Sequence, residues 1–202
     1  PIDADFNGAW SVYAVDVDGD GDMDVLGAAN SHNDITWWEN DGTPADGGWV
    51  EHELTTADGG ASAVYAVDLD GDGDLDVLTG SIDGNTIAWY RNNGSGSFSS
   101  IITINTTAMK ARSVYAIDVD GDGDMDVLSA SRDDDTIAWY RNNGSESFTE
   151  FEITTSADGA RSVYATDVDG DGDMDVLSAS KDDNTIAWYR NDGSESFSAI
   201  IR

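Results

Sequence analysis

One sequence unit of about 50 residues recurs four times along the chain. Each copy contains an aspartate-rich stretch, which reads DVDGDGDMDVL at 16–26, 118–128 and 167–177, and DLDGDGDLDVL at 68–78. The first aspartates of successive stretches are 52, 50 and 49 residues apart. The likeness extends to both flanks, with SVYAVD-like segments before the stretch and TIAWYRNNG-like segments after it. A period of this length is typical of repeat architectures in which neighbouring units bury a shared core.

Each unit carries four short segments rich in Val, Ile, Tyr, Trp, Phe and Thr, separated by Asp-Gly, Asn-Gly and Asp-rich turns. Such segments are typical of strands joined by hairpins, so each unit is predicted to be a four-stranded antiparallel meander. In SVYAV at 11–15 both alternating sets of side chains are apolar or aromatic, which predicts a sheet covered on both faces. We therefore predict an all-β chain, a β-propeller built from four four-stranded antiparallel blades.

The domain organisation follows from the repeats. We predict that residues 1–202 form a single β-propeller domain or a propeller segment, with blades at about 9–56, 61–106, 111–155 and 160–202. The pattern shows no exchanged strand that would clasp a ring, so closure by these four blades, by other copies or by further blades stays open. The chain begins at Pro1, which fits either a removed leader or a longer parent polypeptide.

The aspartate-rich loop predicts a cation site. Positions 1, 3, 5 and 9 are Asp in all four copies, and positions 4 and 6 are Gly. Unit charges about 4 Å apart repel by roughly 4 kcal/mol at an effective dielectric constant of 20, so a bare loop would be costly. The loop offers only oxygen donors and the chain has no cysteine, so the bound ion would be a hard cation. Flexible carboxylates on a turning loop favour calcium among these cations. We expect about four Ca²⁺ ions, one per repeat.

The candidate metal residues are the aspartates of these loops. Those at positions 1, 3, 5 and 9 are Asp16, Asp18, Asp20 and Asp24; Asp68, Asp70, Asp72 and Asp76; Asp118, Asp120, Asp122 and Asp126; Asp167, Asp169, Asp171 and Asp175. Position 7 is expected to contribute its carbonyl while its side chain points outward, and it is occupied by Asp22, Asp74, Asp124 and Asp173. The helical calcium hand does not fit, because its twelfth residue should be Glu and is here Gly27, Thr79, Ser129 or Ser178.

The composition and net charge of the chain limit the classes of partner and activity that we expect. The formal net charge is −32, and 20 of the 34 aspartates lie in the four loops. Such a chain is repelled by nucleic acid phosphates and anionic membranes, so we expect neither as partner, and no apolar run is long enough for membrane insertion. Catalysis is also unexpected, because His32 and His52 are confined to the first repeat and the acids recur identically, whereas an active site is a singular feature.

The pattern YAxDxDGDGDxDVL followed by TIAWYRNNG resembles the FG-GAP or VCBS-type repeat, which is related to the calcium-binding blades of integrin alpha subunits. This resemblance covers all four repeats. It implies a β-propeller, most often seven-bladed in the family, with calcium in the loop between the first and second strands of each blade, and an extracellular setting. A recognisable FG-GAP tetrapeptide is missing, so the calcium loop and the Trp segment carry the resemblance.

We therefore expect a secreted or surface-displayed, non-enzymatic module with a structural or adhesive role, in which calcium rigidifies each blade. Its expected partners are further copies of itself, assembling into a surface layer or filament, or other surface proteins and glycans. The alternative is a calcium-dependent, lectin-like carbohydrate-binding module or a non-catalytic domain of a secreted polysaccharide-active enzyme. In that case Trp38 or Tyr90 would form an exposed platform for sugar.

Other recurring residues have structural expectations. One Trp per blade is expected to pack between blades, namely Trp37, Trp89, Trp139 and Trp188. Three arginines follow and are expected to pair with nearby aspartates, namely Arg91, Arg141 and Arg190, and the first repeat instead has Glu39 at this position. Three N-x-Ser/Thr patterns begin at Asn93, Asn105 and Asn143, and they are either glycan acceptors in a secreted chain or simple turns.

Overall fold

A computed structural model describes residues 1–55 and 59–200 of the chain. It contains four separate antiparallel sheets of four strands, one per repeat, and the strands of each sheet are hydrogen-bonded in chain order. The predicted all-β architecture of four-stranded antiparallel units is thus confirmed. The sheets span 9–55, 61–105, 111–154 and 160–200. The predicted blade ends at Thr56, Ile201 and Arg202 lie outside the described residues.

The strands are short and regular. Repeat 1 has β1 Ala9–Val15, β2 Asp24–Ala29, β3 Asp34–Asn40 and β4 Trp49–Thr55. Repeat 2 has β5 Ala61–Val67, β6 Asp76–Ser81, β7 Ile87–Tyr90 and β8 Ile102–Asn105. Repeat 3 has β9 Ala111–Ile117, β10 Asp126–Ser131, β11 Thr136–Asn142 and β12 Phe148–Thr154. Repeat 4 has β13 Ala160–Thr166, β14 Asp175–Ser180, β15 Thr185–Asn191 and β16 Phe197–Ile200.

Repeat 1 has three more residues than the other repeats in the turn that follows its third strand, around Thr43, Pro44 and Ala45. A 3-10 helix spans Pro44–Asp46 at this point. Among residues 1–55 and 59–200, no helix has the length and apolar character needed to cross a bilayer.

Apolar side chains fill the space between consecutive sheets. Each repeat contributes what we call its trailing face, which in repeat 1 consists of Val17, Leu26, Ala28, Ile35 and Trp37. The next repeat contributes its leading face, which in repeat 2 consists of Ala61, Val64, Ala66, Val77 and Tyr90. Equivalent residues form the clusters between repeats 2 and 3 and between repeats 3 and 4. The sheets of repeats 2 and 3 are therefore covered on both faces, as predicted. The prediction was wrong for the segment at 11–15 on which it was based, because Val12 and Ala14 lie on a face that no described sheet covers and are exposed.

The packing between sheets buries most of the aromatic side chains of the third strands. Trp37, Trp89 and Trp139 are buried between repeats, which confirms their predicted place in the core. Trp188, the fourth of this set, is only partly buried, because no described sheet covers its face of repeat 4. The neighbouring aromatics Trp38 and Tyr90 are also buried, so the expectation that they form an exposed sugar platform is wrong. The physical reason is that the opposite face of the third strand meets another part of the chain. Tyr90 packs against repeat 1, and the ring of Trp38 meets Phe6 edge-on, with the ring centroids 4.9 Å apart.

A row of tyrosines shows that the repeats follow one another in order. Tyr13, Tyr65, Tyr115 and Tyr164 occupy equivalent positions on the four first strands. Their ring centroids are 4.9, 5.2 and 4.8 Å apart in sequence order. The four first strands therefore lie side by side, with their tyrosine rings in one row. In such an arrangement each repeat packs only on its neighbours in the chain.

Candidate metal centres

Each aspartate-rich loop joins the first and second strands of its repeat, as the family resemblance implied. Its first aspartate organises the turn. In repeat 1, Asp16 accepts hydrogen bonds from the backbone N–H groups of Gly19, at 2.8 Å, and Gly21, at 3.0 Å. Gly21 has a φ of 98°, in the left-handed region that side chains avoid, which explains the glycine at position 6. Asp68, Asp118 and Asp167 make the same pair of bonds in their loops.

The ninth residue of the loop is a fully buried aspartate that ties three strands together. In repeat 1, Asp24 begins β2 and its carboxylate accepts the backbone N–H of Val17 at 2.8 Å and of Asn40 at 2.8 Å. Val17 follows β1, and Asn40 ends β3. The equivalent bonds recur at Asp76, Asp126 and Asp175.

Carboxylates converge in every loop. One oxygen from each of three aspartates lies within 4.8 Å of the others, and the trios are Asp16, Asp18 and Asp24; Asp68, Asp70 and Asp76; Asp118, Asp120 and Asp122; Asp167, Asp169 and Asp175. Positions 1, 3 and 9 therefore meet in three loops, and positions 1, 3 and 5 in the third. The remaining predicted ligands of these positions lie outside the trios, and they are Asp20, Asp72, Asp126 and Asp171.

The carboxylates at position 7 point elsewhere. Those of Asp22, Asp74, Asp124 and Asp173 lie against a glycine in the turn between the third and fourth strands of the same repeat. For Asp74 that residue is Gly94, where an added Cβ would lie 2.5 Å from a carboxylate oxygen. This orientation agrees with the expectation that the side chain at position 7 points outward.

Burial and like charge act together on these acids. Burial raises the pKa of Asp76 and of Asp126 to about 7, although two backbone N–H groups hydrogen-bond to each carboxylate and oppose the shift. Burial also raises the pKa of Asp24. The pKa of Asp18, at position 3, is raised by burial and by the charges of neighbouring acids. The surroundings of these carboxyl groups therefore disfavour their ionised form.

The donor set fits calcium better than other common ions. The trios offer hard carboxylate oxygens from a glycine-containing turn, and the described chain brings no imidazole into any of them. Such oxygen donors suit Ca²⁺, which accepts six to eight ligands in variable geometry, whereas Zn²⁺ prefers nitrogen and sulfur. A bound Ca²⁺ would supply the positive charge that offsets both the repulsion and the burial of the acids.

Arginines near the loops pair with acids, and the partner is an aspartate, as predicted, for Arg91 and Arg190 but a glutamate for Arg141. The guanidinium of Arg91 lies 2.8 Å from Asp70 and also contacts Glu146 of the next repeat. Arg141 likewise contacts Glu195 of the next repeat. Arg190 lies 2.5 Å from Asp169 and 2.8 Å from Asp171, both in its own repeat. Repeat 1 differs, because Glu39 stands at this position and pairs with His52 at 2.8 Å.

Four asparagines that the repeat pattern did not single out hydrogen-bond to the loops, and three of them connect one loop to the next. They end the TIAWYRN segment or its equivalent and are Asn40, Asn92, Asn142 and Asn191. The side-chain amide of Asn92 donates to the carbonyl of Leu75 in its own repeat, at 3.0 Å, and to that of Val17 in repeat 1, at 2.9 Å. Asn142 and Asn191 make the same pair of contacts. Their presence in all four repeats was the signal that could have revealed them.

Comparison with known proteins places the chain in a family. The profile of the FG-GAP-like repeat matches four overlapping stretches, 16–79, 68–129, 118–178 and 167–202. The chain belongs to the FG-GAP-like repeat family. No curated protein matches this FG-GAP-like chain by sequence search.

Solved structures share the fold of this FG-GAP-like chain at low identity. The V. cholerae biofilm matrix protein Bap1 has a TM-score of 0.60 and 19% identity, over 95% of this chain and 28% of Bap1. An exo-beta-1,3-galactanase from Phanerochaete chrysosporium has a TM-score of 0.52 and 11% identity, over 97% of this chain and 49% of the galactanase. At such identities the likeness shows the fold alone. The chain spans less than half the length of either protein.

Proposed function

We propose that this chain is a non-enzymatic, extracellular structural or adhesive module whose four sheets are blades of a β-propeller and whose loops each bind one Ca²⁺. The observation that carries this proposal is the buried ninth aspartate of each loop. It joins three strands through its backbone contacts, and in three of the four loops its carboxylate also lies within reach of two further carboxylates. A cation at that point would act on the framework of the whole repeat.

Binding of a cation to the loops would be coupled to folding of the chain. Closing a loop without an ion brings carboxylates together and buries one of them, and both steps cost free energy. A cation that binds only the closed loop offsets this cost, so its binding free energy becomes folding free energy. Four divalent ions, carrying eight positive charges, would also offset a quarter of the formal net charge of −32. Calcium is therefore proposed as a structural ion that rigidifies each repeat.

Several observations support the extracellular and non-catalytic parts of the proposal. The fold resembles that of a biofilm matrix protein, Bap1, which favours a role outside the cell. The acids recur in every repeat and tie strands together, as scaffold residues do. The alternative function, carbohydrate binding, is less well supported, because Trp38 and Tyr90, the aromatic residues expected to contact sugar, are buried.

Thermal unfolding in calcium and in chelator tests the proposal. At a free Ca²⁺ concentration of about 100 times the dissociation constant, each site adds about 2.7 kcal/mol to the free energy of unfolding. For four sites we expect EDTA to lower the Tm by roughly 20 °C or more. Excess Mg²⁺ added after EDTA serves as the control and should restore only part of the loss, since Mg²⁺ requires a tighter octahedral shell. An unchanged Tm in EDTA would refute the proposal.

A further inference from the structure

The contact between consecutive repeats is built in the same way three times. The trailing face of one repeat meets the leading face of the next, and equivalent residues are buried at each junction. Polar contacts repeat as well. The hydroxyl of Ser11 accepts the backbone N–H of Val64, and the hydroxyl of Ser113 accepts that of Val163. Each of the last three asparagines donates to a loop carbonyl of the preceding repeat. The chain thus contains a reproducible interface between units.

The trailing face of repeat 4 carries the same residue types but faces solvent. Its loop residue Val168 is 44% exposed, whereas the equivalent Val119 of repeat 3 is 3% exposed. On the third strand Ile186 is 75% exposed, whereas the equivalent Ile137 is fully buried. Tyr164 ends the tyrosine row and is about half exposed, at 49%. Arg190 turns back to acids of its own repeat, where Arg91 and Arg141 reach forward to the next.

The leading face of repeat 1 is partly open in the complementary way. Val12 is 71% exposed, although its counterparts in the later repeats are buried. A cavity of about 270 Å³ lies here, and Ala9, Val12, Val25 and Trp38 line it. These are the counterparts of the residues that receive the preceding sheet in repeats 2, 3 and 4. The amino-terminal segment covers the part of this face around Trp38, where Ile2, Asp3, Ala4 and Phe6 line the same cavity, and the part around Val12 is exposed. A sheet that docks on the whole face would take the place of this segment.

We propose that the trailing face of repeat 4 docks on the leading face of repeat 1 in a second copy of this chain, which continues the inter-repeat contact from one molecule to the next. The polar groups match this register. The side-chain amide of Asn40, which bonds within its own repeat, takes the carbonyl of Val168 as its partner in the other copy. The hydroxyl of Ser162, equivalent to Ser11 and Ser113, accepts the backbone N–H of Val12.

Two features follow from this geometry. The contact is heterologous, because it joins two different faces, so each copy keeps one free face and assembly runs on until the ends meet or indefinitely. The contact also joins two strongly acidic molecules, so it becomes stronger as salt screens their repulsion. The proposal extends the structural role proposed above, but it does not depend on calcium at the junction itself. The change in Tm caused by a chelator tests whether a metal stabilises one chain, whereas the molecular mass in solution tests the contact between chains. One of the two proposals can therefore fail while the other holds.

Paired blocking variants test the interface. Ile186→Asp blocks the trailing face and Val12→Asp blocks the leading face, and both sites lie outside the aspartate-rich loops. With calcium present, the wild-type chain is expected to sediment as dimers or longer assemblies, and each variant alone as a monomer. Either substitution places a charge in the contact and should raise the dissociation constant by about a hundredfold or more. Mixed in equal amounts, the two variants should form a one-to-one dimer, because one intact face of each kind remains.

The controls separate this contact from other causes. Ile101→Asp adds the same charge at an exposed apolar position of the internal repeat 2 and should leave assembly unchanged. Each variant should keep the calcium-loaded Tm of the monomeric chain, which shows that it folds. A wild-type chain that stays monomeric at millimolar concentration and high salt would overturn the proposal, as would a mixture of the two variants that shows only monomers. Dimers of the Ile186→Asp variant alone would also overturn it.

Discussion

Asp76 and Asn92 are hydrogen-bonded to each other, and Asn92 in turn connects the aspartate-rich loop of repeat 2 to that of repeat 1. The carboxylate of Asp76 accepts the backbone N–H of Asn92 at 2.9 Å, and the side-chain amide of Asn92 donates to the carbonyl of Val17 in repeat 1 at 2.9 Å. The same relation joins Asp126 to Asn142, whose amide reaches repeat 2. Ordering one loop therefore supports the position of its neighbour, so a cation that ordered one loop would also stabilise the next.

Replacing the linking asparagine should be most harmful where it joins two repeats. Asn142→Ala removes bonds to the carbonyls of Leu69 and Met125, whereas the matched Asn40→Ala removes the one bond to Met23. Each buried carbonyl left without a donor costs about 1–3 kcal/mol. We expect Asn142→Ala to lower the free energy of unfolding by about 1 kcal/mol more than Asn40→Ala does, measured by urea unfolding in calcium. Equal losses in the two variants would contradict an inter-repeat role.

Calcium stoichiometry should distinguish the ninth loop position from the seventh. Asp76→Asn removes a buried carboxylate that lies with Asp68 and Asp70, whereas Asp74→Asn changes a carboxylate that lies against Gly94. We expect calorimetric titration to give about three Ca²⁺ ions for Asp76→Asn and four for Asp74→Asn, with a lower Tm in calcium for the first variant alone. Loss of an ion in Asp74→Asn as well would show that the seventh side chain is a ligand after all.

Stability without calcium should fall as the pH rises. The pKa of Asp76 and of Asp126 is raised to about 7 in the folded chain, from an ordinary value of 3.8. A raised folded pKa means that the protonated form is favoured, so this contribution is complete below about pH 3.8 and is lost as the pH rises through about 7. Urea unfolding in EDTA from pH 5 to pH 8 should show declining stability. The double variant Asp76→Asn, Asp126→Asn should flatten the profile, and a rise with pH would contradict the assignment.

Calcium binding should have the opposite dependence on pH. Calcium binds the ionised carboxylate, so at these two sites its binding releases a proton when the pH is below about 7. The apparent affinity of such a site should fall about tenfold for each pH unit below that value. Titrations in two buffers with different ionisation enthalpies measure the protons released. No proton release at pH 6 would mean that the two carboxylates are already ionised in the apo chain.

The sequence predicted the sheets and the loops because both depend on local chemistry. Alternating apolar residues fix a strand, and Asp16 with Gly21 fixes a turn, whatever surrounds them. The roles of Trp38 and Asn92 could not be read in the same way. Trp38 is buried by Phe6, more than 30 residues away, and Asn92 bonds to Val17, 75 residues away. Such contacts depend on how sheets stack, and one repeat read alone does not contain that information.

A substitution pattern within the chain predicts energetic coupling between repeats 1 and 2. Arg91 and Arg141 contact Glu146 and Glu195 of the next repeat, but repeat 1 has Glu39 in place of the arginine, and the corresponding residue of repeat 2 is Gly96. A side chain added at Gly96 would crowd Trp37, with its Cβ 2.6 Å from the ring, and would lie near Asp18. Gly96→Glu should therefore destabilise the chain, through this crowding and through repulsion from the acids nearby.

Adding Glu39→Arg to Gly96→Glu should recover part of that loss, because it recreates the ion pair of the later repeats. We expect a favourable coupling of about 1 kcal/mol in a double-mutant cycle, from urea unfolding of the four proteins in calcium. Because the pair is partly exposed, the coupling should shrink in 1 M NaCl, whereas the steric part of the Gly96→Glu loss should remain. Additive effects at low salt would mean that Glu39 and Gly96 vary independently.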